Sequence, residues 1–395
     1  MANERNSNYE LMRIVAMLAI VFDHLSVHGL PSLSSSILIN NSINNYLLFS
    51  IPFDIFGHIG NWIFIFISGW FLTGKSFSWG KLGKLWVQIC SISFIITIVV
   101  YFSKIDIINY FDKDHFILNG FDATAKKITK NSFVMSLLPF YFSSNWYGSA
   151  YTIFFLFLPY FDKLISGLQK RDHKNFTLLL ILLSQISIAP GQSIFNPSKV
   201  IIFFTGYVLI KYVKIYDPKI LNNKIRNVIL IFCLLALHWG YKIACIFFVS
   251  KFNLSNAYFI WLSRLLDNVS CFIPMMIALL FFCNFRFLEV RYNKVVNIVA
   301  STTFGIYLIH EHPLINYWLC NHTFKIYEHS VFVSYMSYVI LYTFVTFVAC
   351  MLLELLRKII IDKPLFYFCD KTNRSNSEIL NRVFSKNTPK SFISE

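Results

Sequence analysis

The chain has 395 residues, of which 56% are hydrophobic and only 14% charged, and its mean hydropathy is +0.56. An ordinary soluble domain carries about a quarter charged residues, so a water-soluble enzyme or binding module is excluded and a polytopic membrane protein is expected. The formal charge of +15 does not indicate nucleic acid, because the basic residues fall between apolar runs, as the positive-inside rule requires.

Apolar stretches of about 20 residues, enough to span a bilayer, recur along the chain. In order they run Leu11 to Val27, Leu48 to Leu72, Leu82 to Phe102, Tyr147 to Ile165, Phe176 to Ile188, Val200 to Val213, Val228 to Val249, Tyr258 to Cys283, Val295 to Leu319, and Val331 to Ile361. The first run opens on Arg13, ends on Asp23 and His24 and lacks a small-residue cleavage site, so it reads as a retained helix rather than a secretory signal. With the N-terminus inside, the inner connections carry Lys75, Lys81 and Lys84; Lys163, Lys170, Arg171 and Lys174; Lys211, Lys214, Lys219, Lys224 and Arg226; and Arg286, Arg291 and Lys294. The first outer loop, Gly29 to Tyr46, has no Lys or Arg. The long connection Ser103 to Asn145 is the exception, with Lys104, Lys113, Lys126, Lys127 and Lys130 among aspartates, and long outer segments obey the rule weakly.

The fold class predicted is an all-α integral membrane protein, a bundle of about ten transmembrane helices with both termini cytoplasmic. Residues 1–370 are expected to form this transmembrane domain, and 371–395 a polar, disordered cytoplasmic tail. The location expected is the plasma membrane, with the lipid bilayer as partner, no nucleic acid, and a homo-oligomer left open. The eight cysteines are scattered, without CxxC spacing, and read as packed thiols.

Ionisable groups inside spans cost several kcal/mol unless they face a partner or an aqueous cavity, so each is a functional candidate. Arg13 and His24 are eleven positions apart, which on a helix returns to within roughly 20° of the same direction and separates them by about 16 Å. They line one stripe, Arg13 towards the inner side and His24 towards the outer. The competing reading is that Arg13 snorkels to lipid phosphates and His24 is interfacial. In the second span Asp54, His58, Asn61 and Ser68 keep to one side. His238 and Lys242 lie one turn apart in the seventh, and Arg264 and Asp267 in the eighth read as an ion pair, structural or functional. The ninth ends in Tyr307-Leu308-Ile309-His310-Glu311-His312-Pro313, where three ionisable groups before a proline predict a bend or an exit to the outer surface. No metal site is assigned, since His310 and His312, two apart on a helix, point away from each other.

These residues carry a resemblance. Tyr9-Glu10-Leu11-Met12-Arg13-Ile14-Val15-Ala16-Met17, with Arg13 and His24 in an Arg-x10-His arrangement, resembles the start of the membrane-bound acyltransferase 3 family, which includes bacterial polysaccharide and peptidoglycan O-acetyltransferases. Phe64-Ile65-Phe66-Ile67-Ser68-Gly69-Trp70-Phe71-Leu72 is similar to the family's apolar run ending in Ser-Gly-aromatic, and Lys81-Leu82-Gly83-Lys84 occupies the place of its Arg-x-x-Arg pair. Asn145-Trp146-Tyr147 with Pro159, and Thr303 to His310, continue the likeness in the family's order. The two lysines depart from the family's arginines, keeping charge but losing bidentate phosphate geometry.

The resemblance implies transfer of an acyl group, usually acetyl, from cytoplasmic acyl-CoA to a hydroxyl of an extracytoplasmic carbohydrate, with acetyl-CoA as donor and no metal. It also implies a single-module enzyme, since a fused esterase-like domain, present in some members, is not seen. His24 then serves as general base or as acceptor of the acyl group. Arg13, with Lys75, Lys81, Lys84 and Ser68, belongs to donor binding; for the lysines the alternative is plain inner-loop charge, and for Ser68-Gly69 close helix packing. Asp54, His58, Asn61, Trp146, Tyr147 and His310 line the passage or hold the acceptor, although Trp146 and Tyr147 also suit an interfacial aromatic belt. Two non-acylating alternatives are a polysaccharide-unit transporter or flippase, for which an interior cationic passage is also expected, and a polysaccharide polymerase.

Overall fold

The computed structural model describes residues 6–28, 53–75, 77–103, 130–138, 146–185, 197–252, 271–320, 324 and 332–365. Among these the regular structure is entirely helical. The helices are α1 (Ser7–His28), α2 (Phe56–Leu72), α3 (Trp79–Ser103), α4 (Lys130–Leu137), α5 (Trp146–Ser166), α6 (Lys170–Gln185), α7 (Pro197–Tyr216), α8 (Lys224–Lys251), α9 (Phe272–Phe285), α10 (Lys294–Ala300), α11 (Thr303–His310), α12 (Asn316–Trp318) and α13 (Phe332–Arg357). Three helical stretches, Trp79–Ser103, Lys224–Val249 and Val333–Leu365, are long and apolar enough to cross a membrane. Their outward surfaces expose Val99, Phe232, Phe247, Leu352 and Leu353, as suits helices bathed in lipid.

The centre of the bundle is α1 packed on α2, and small residues set their spacing. α1 buries Met12, Ala16, Met17, Ile20 and Val21, a helical periodicity that gives one broad apolar face. Gly60 of α2 meets that face so closely that an added Cβ would lie 2.6 Å from the Ala16 carbonyl oxygen. On the opposite side of α2, a Cβ on Gly69 would lie 2.6 Å from Cγ2 of Ile210, and Gly206 of α7 packs against Ile65 and Trp62. The helix α2 is thus clasped between α1 and α7, the use of small residues expected where lipid offers no hydrophobic drive between helices. Ser68 is half-buried beside this contact.

Two features differ from the expected spans. Asp54, expected inside the second span, lies in the turn that precedes α2. The ninth span is not one helix but three pieces, α10, α11 and α12. Asn293 caps α10 through its side chain, accepting hydrogen bonds from the Val295 and Val296 amides. The hydroxyls of Ser301, Thr302 and Thr303 then donate back to the carbonyls of Ile298, Val299 and Ala300, offering the backbone local partners that interrupt the helix. Pro313 follows α11 in a turn, where the lack of an N–H does no harm. The eighth-span pair Arg264 and Asp267 lies outside the described residues, as do residues 366–395 and most of the long connection before α5.

Charged networks join the helix ends. Arg357 at the end of α13 donates to Glu354 and to Asp362, and also to Ser91 of α3. Glu354 further accepts from Gln88, and Gly305 of α11 packs directly on its side chain. Between α7 and α8, Asp217 adopts a positive φ of 37°, tolerable for aspartate. It accepts from Arg286 at 2.5 Å, and that hydrogen bond from the guanidinium holds its carboxyl below the usual range.

Candidate active site

The first helix presents Arg13, Met17, Ile20 and His24 at intervals of four, three and four residues, a single line along one face. Met17 and Ile20 line a small, half-open apolar pocket of about 20 Å³, bordered by Asn61 and Phe64 of α2, Tyr147 of α5, and Phe304 and Tyr307 of α11. Four segments distant in sequence therefore surround one apolar space, with Arg13 one turn beyond Met17 at one end and His24 one turn beyond Ile20 at the other.

At the His24 end the chemistry is concentrated. Nδ1 of His24 lies 2.8 Å from Oε2 of Glu311 and 3.0 Å from Nε2 of His310. His310 in turn places Nδ1 at 2.7 Å from the Ile306 carbonyl; a carbonyl only accepts, so this nitrogen carries the proton and Nε2 presents a lone pair towards His24. The Asn316 amide donates to Oε2 of Glu311 at 2.6 Å. Each group is thereby oriented by a second hydrogen bond. Glu311 follows His310 at the C-terminal end of α11, where its own N–H still bonds back to the Tyr307 carbonyl at 3.1 Å, so the last turn of α11 brings both side chains to His24.

At the other end Arg13 donates to both carboxylate oxygens of Glu10, each at 3.1 Å, retains 27% side-chain exposure, and interacts electrostatically with the Tyr147 and Tyr151 hydroxyls. Lys75, Lys81 and Lys84 are exposed; Lys75 lies 5.9 Å from the centre of the Phe71 ring. Lys214, which was not singled out, donates to the Trp70 carbonyl at 2.6 Å and adds a cation to the same end of α2.

The expected second-span stripe divides. Asn61 borders the cavity, and His58 is half-buried on α2. Asp54 instead turns to α8, where its carboxylate meets Lys242 and, at 3.3 Å, Nε2 of His238. The α8 pair seen in the sequence is thus neutralised by a residue 184 positions away from His238. Tyr147 faces inward, its ring 5.9 Å from that of Tyr307, while Trp146 lies beside it with Lys199 5.2 Å above its ring. His312 points away from His24, to Ser93 of α3 at 3.2 Å.

Sequence reasoning missed the role of Glu311 and the cavity walls Met17, Ile20, Phe304 and Tyr307. The walls on α1 were available, since stepping by four and three from Arg13 to His24 passes through them. Glu311 was not: its pairing with His24 depends on how α11 packs against α1.

An apolar cavity between a cation and a histidine–carboxylate pair, within a membrane-type helical bundle, has the components of a membrane group-transfer enzyme. A profile of the acyltransferase 3 type, described as an acyltransferase domain, matches residues 6–355. The chain belongs to the acyltransferase 3 family, and in general terms it is a membrane acyltransferase. No curated protein and no solved structure matches it.

Proposed function

We propose that the protein moves an acetyl or similar short acyl group from cytoplasmic acyl-CoA to a hydroxyl of an extracytoplasmic polysaccharide or glycan, as an O-acyltransferase of the plasma membrane. The observation that carries this reading is the Nδ1–Oε2 contact of 2.8 Å between His24 and Glu311, at the end of the cavity opposite Arg13. The topology adopted is about ten spans with both termini cytoplasmic, supported by the distribution of Lys and Arg. The mouth bearing Arg13, Lys75, Lys81 and Lys84 then faces acyl-CoA, whose phosphates these cations attract.

With its proton on Nδ1 and held by Glu311, His24 takes the acceptor hydroxyl proton on Nε2 as the hydroxyl oxygen bonds to the thioester carbonyl carbon. The carboxylate stabilises the imidazolium so formed, the division of labour of a base and its orienting acid. The tetrahedral intermediate breaks its C–S bond, and the imidazolium returns the proton to the departing thiolate. Asn61 and Tyr147 border the path, and Arg13 orients the donor.

The test is mass spectrometry of the cell-surface polysaccharide from cells carrying the wild-type chain or His24→Ala. The expected result is unchanged polysaccharide quantity with the acyl ester missing from the variant. Esters that persist in the variant overturn the role of His24, and loss of exported polysaccharide supports a transporter instead.

A further inference from the structure

Three ligand atoms of different residues converge at the end of the cavity: His24 Nδ1, His310 Nε2 and a carboxylate oxygen of Glu311, all within 4.8 Å of one another. The closest separations, 3.0 Å between the nitrogens and 2.8 Å from His24 to Glu311, fall slightly short of the roughly 3.3 Å that separates neighbouring ligands on a tetrahedral zinc with bonds of about 2.0–2.1 Å. Opening these two contacts by a few tenths of an ångström brings each pair to ligand spacing.

A cation at their centre would take one lone pair from each of the three residues. The outer contacts are those of metal ligands: the far nitrogen of His310 bound to a backbone carbonyl at 2.7 Å, and the glutamate held by the Asn316 amide at 2.6 Å. His24 and Glu311 retain side-chain exposures of 15% and 25%.

We propose that this His–His–Glu cluster is a binding site for a borderline-soft divalent transition ion of the zinc type, and that occupation switches the transfer reaction off. The proposal rests on the reading of His24 as base. Metal on Nδ1 takes the lone pair of that nitrogen, and the imidazole proton moves to Nε2. The nitrogen that would accept the hydroxyl proton then carries one already. The ion acts as an inhibitor rather than a cofactor, in keeping with the chemistry above, which runs without metal.

The experiment uses the full-length protein in detergent, titrated with Co²⁺ and followed by visible d–d absorption, then by displacement with Zn²⁺. One ion per chain with tetrahedral-type bands is expected. Glu311→Gln, which keeps the shape of the side chain, and His310→Gln should each abolish the bands, and Asn316→Ala should weaken binding about 10- to 100-fold. Acyl transfer by the wild type should fall in parallel with zinc occupancy and return on chelation. No stoichiometric binding by the wild type, or bands that survive in both Gln variants, overturns the proposal; so does binding that leaves transfer intact. The readout is spectroscopic, so it separates from failure of the acyltransferase reading, in which His24→Ala would retain transfer.

Discussion

In the proposed reaction His24 and Glu311 divide one task, and substitution should expose the division. His24→Ala removes the base and should lower transfer about 10²- to 10⁴-fold, measured as acyl ester formed by purified protein. Glu311→Gln preserves shape but removes the counter-charge of the imidazolium, so kcat should fall while KM for acyl-CoA stays nearly constant, the pattern of an interaction made in the transition state. A raised KM with unchanged kcat would place Glu311 in donor binding instead. Arg13→Ala should do the reverse and raise KM for acyl-CoA; an unchanged KM removes Arg13 from the donor site. At this scale the sequence was informative where local geometry decided the outcome. Arg13 and His24 share a face because α1 is regular, so their stripe could be computed. Asp54 could not be placed the same way, because it lies in a turn before α2 and its carboxylate is claimed by Lys242 and His238 of α8.

The helices hold this site through close approaches that tolerate little change. Gly60 fixes the distance between α1 and α2, and Gly60→Ala should force the Ala16 carbonyl or Ile20 aside, at a cost of about 1–3 kcal/mol. Thermal unfolding of purified protein in detergent checks this: an unshifted midpoint would mean that the two helices do not approach as described. The element the sequence misread most is the ninth span. Its hydropathy is that of a continuous helix, and periodicity carries no sign of three consecutive hydroxyl residues bonding back to the preceding turn. That interruption is what separates α10 from α11. The element that matters most for the site was therefore the one whose shape local hydroxyl-to-backbone bonds, not hydropathy, determined.

The molecule as a whole couples an apolar bundle to basic connections, and the latter include one titratable contact with a defined sign. Asp217, held by Arg286, has its carboxyl pKa depressed in the folded chain. Its stabilising contribution is present above the unfolded value near 3.8 and is lost as pH falls through the lower folded value. Asp217 keeps 59% side-chain exposure, so the effect is small. Asp217→Asn should leave stability at neutral pH only slightly reduced and flatten its decline below about pH 4, as read from denaturation midpoints; an unchanged acid profile would show that the contact contributes nothing in solution. The membrane character of the chain was evident from composition, and the family from ordered motifs. The cavity was not, because it exists only where α1, α2, α5 and α11 meet.

In the proposed reaction the donor mouth near Arg13 and the base at His24 serve opposite sides of the membrane, and the acyl group passes between them. Proteoliposomes test it most directly, with labelled acetyl-CoA sealed on one side and a hydroxyl-bearing glycan confined to the other. Labelled ester is expected on the glycan with the wild-type chain and none with His24→Ala. Label that reaches the glycan equally with His24→Ala, or only when donor and acceptor share a compartment, would contradict it.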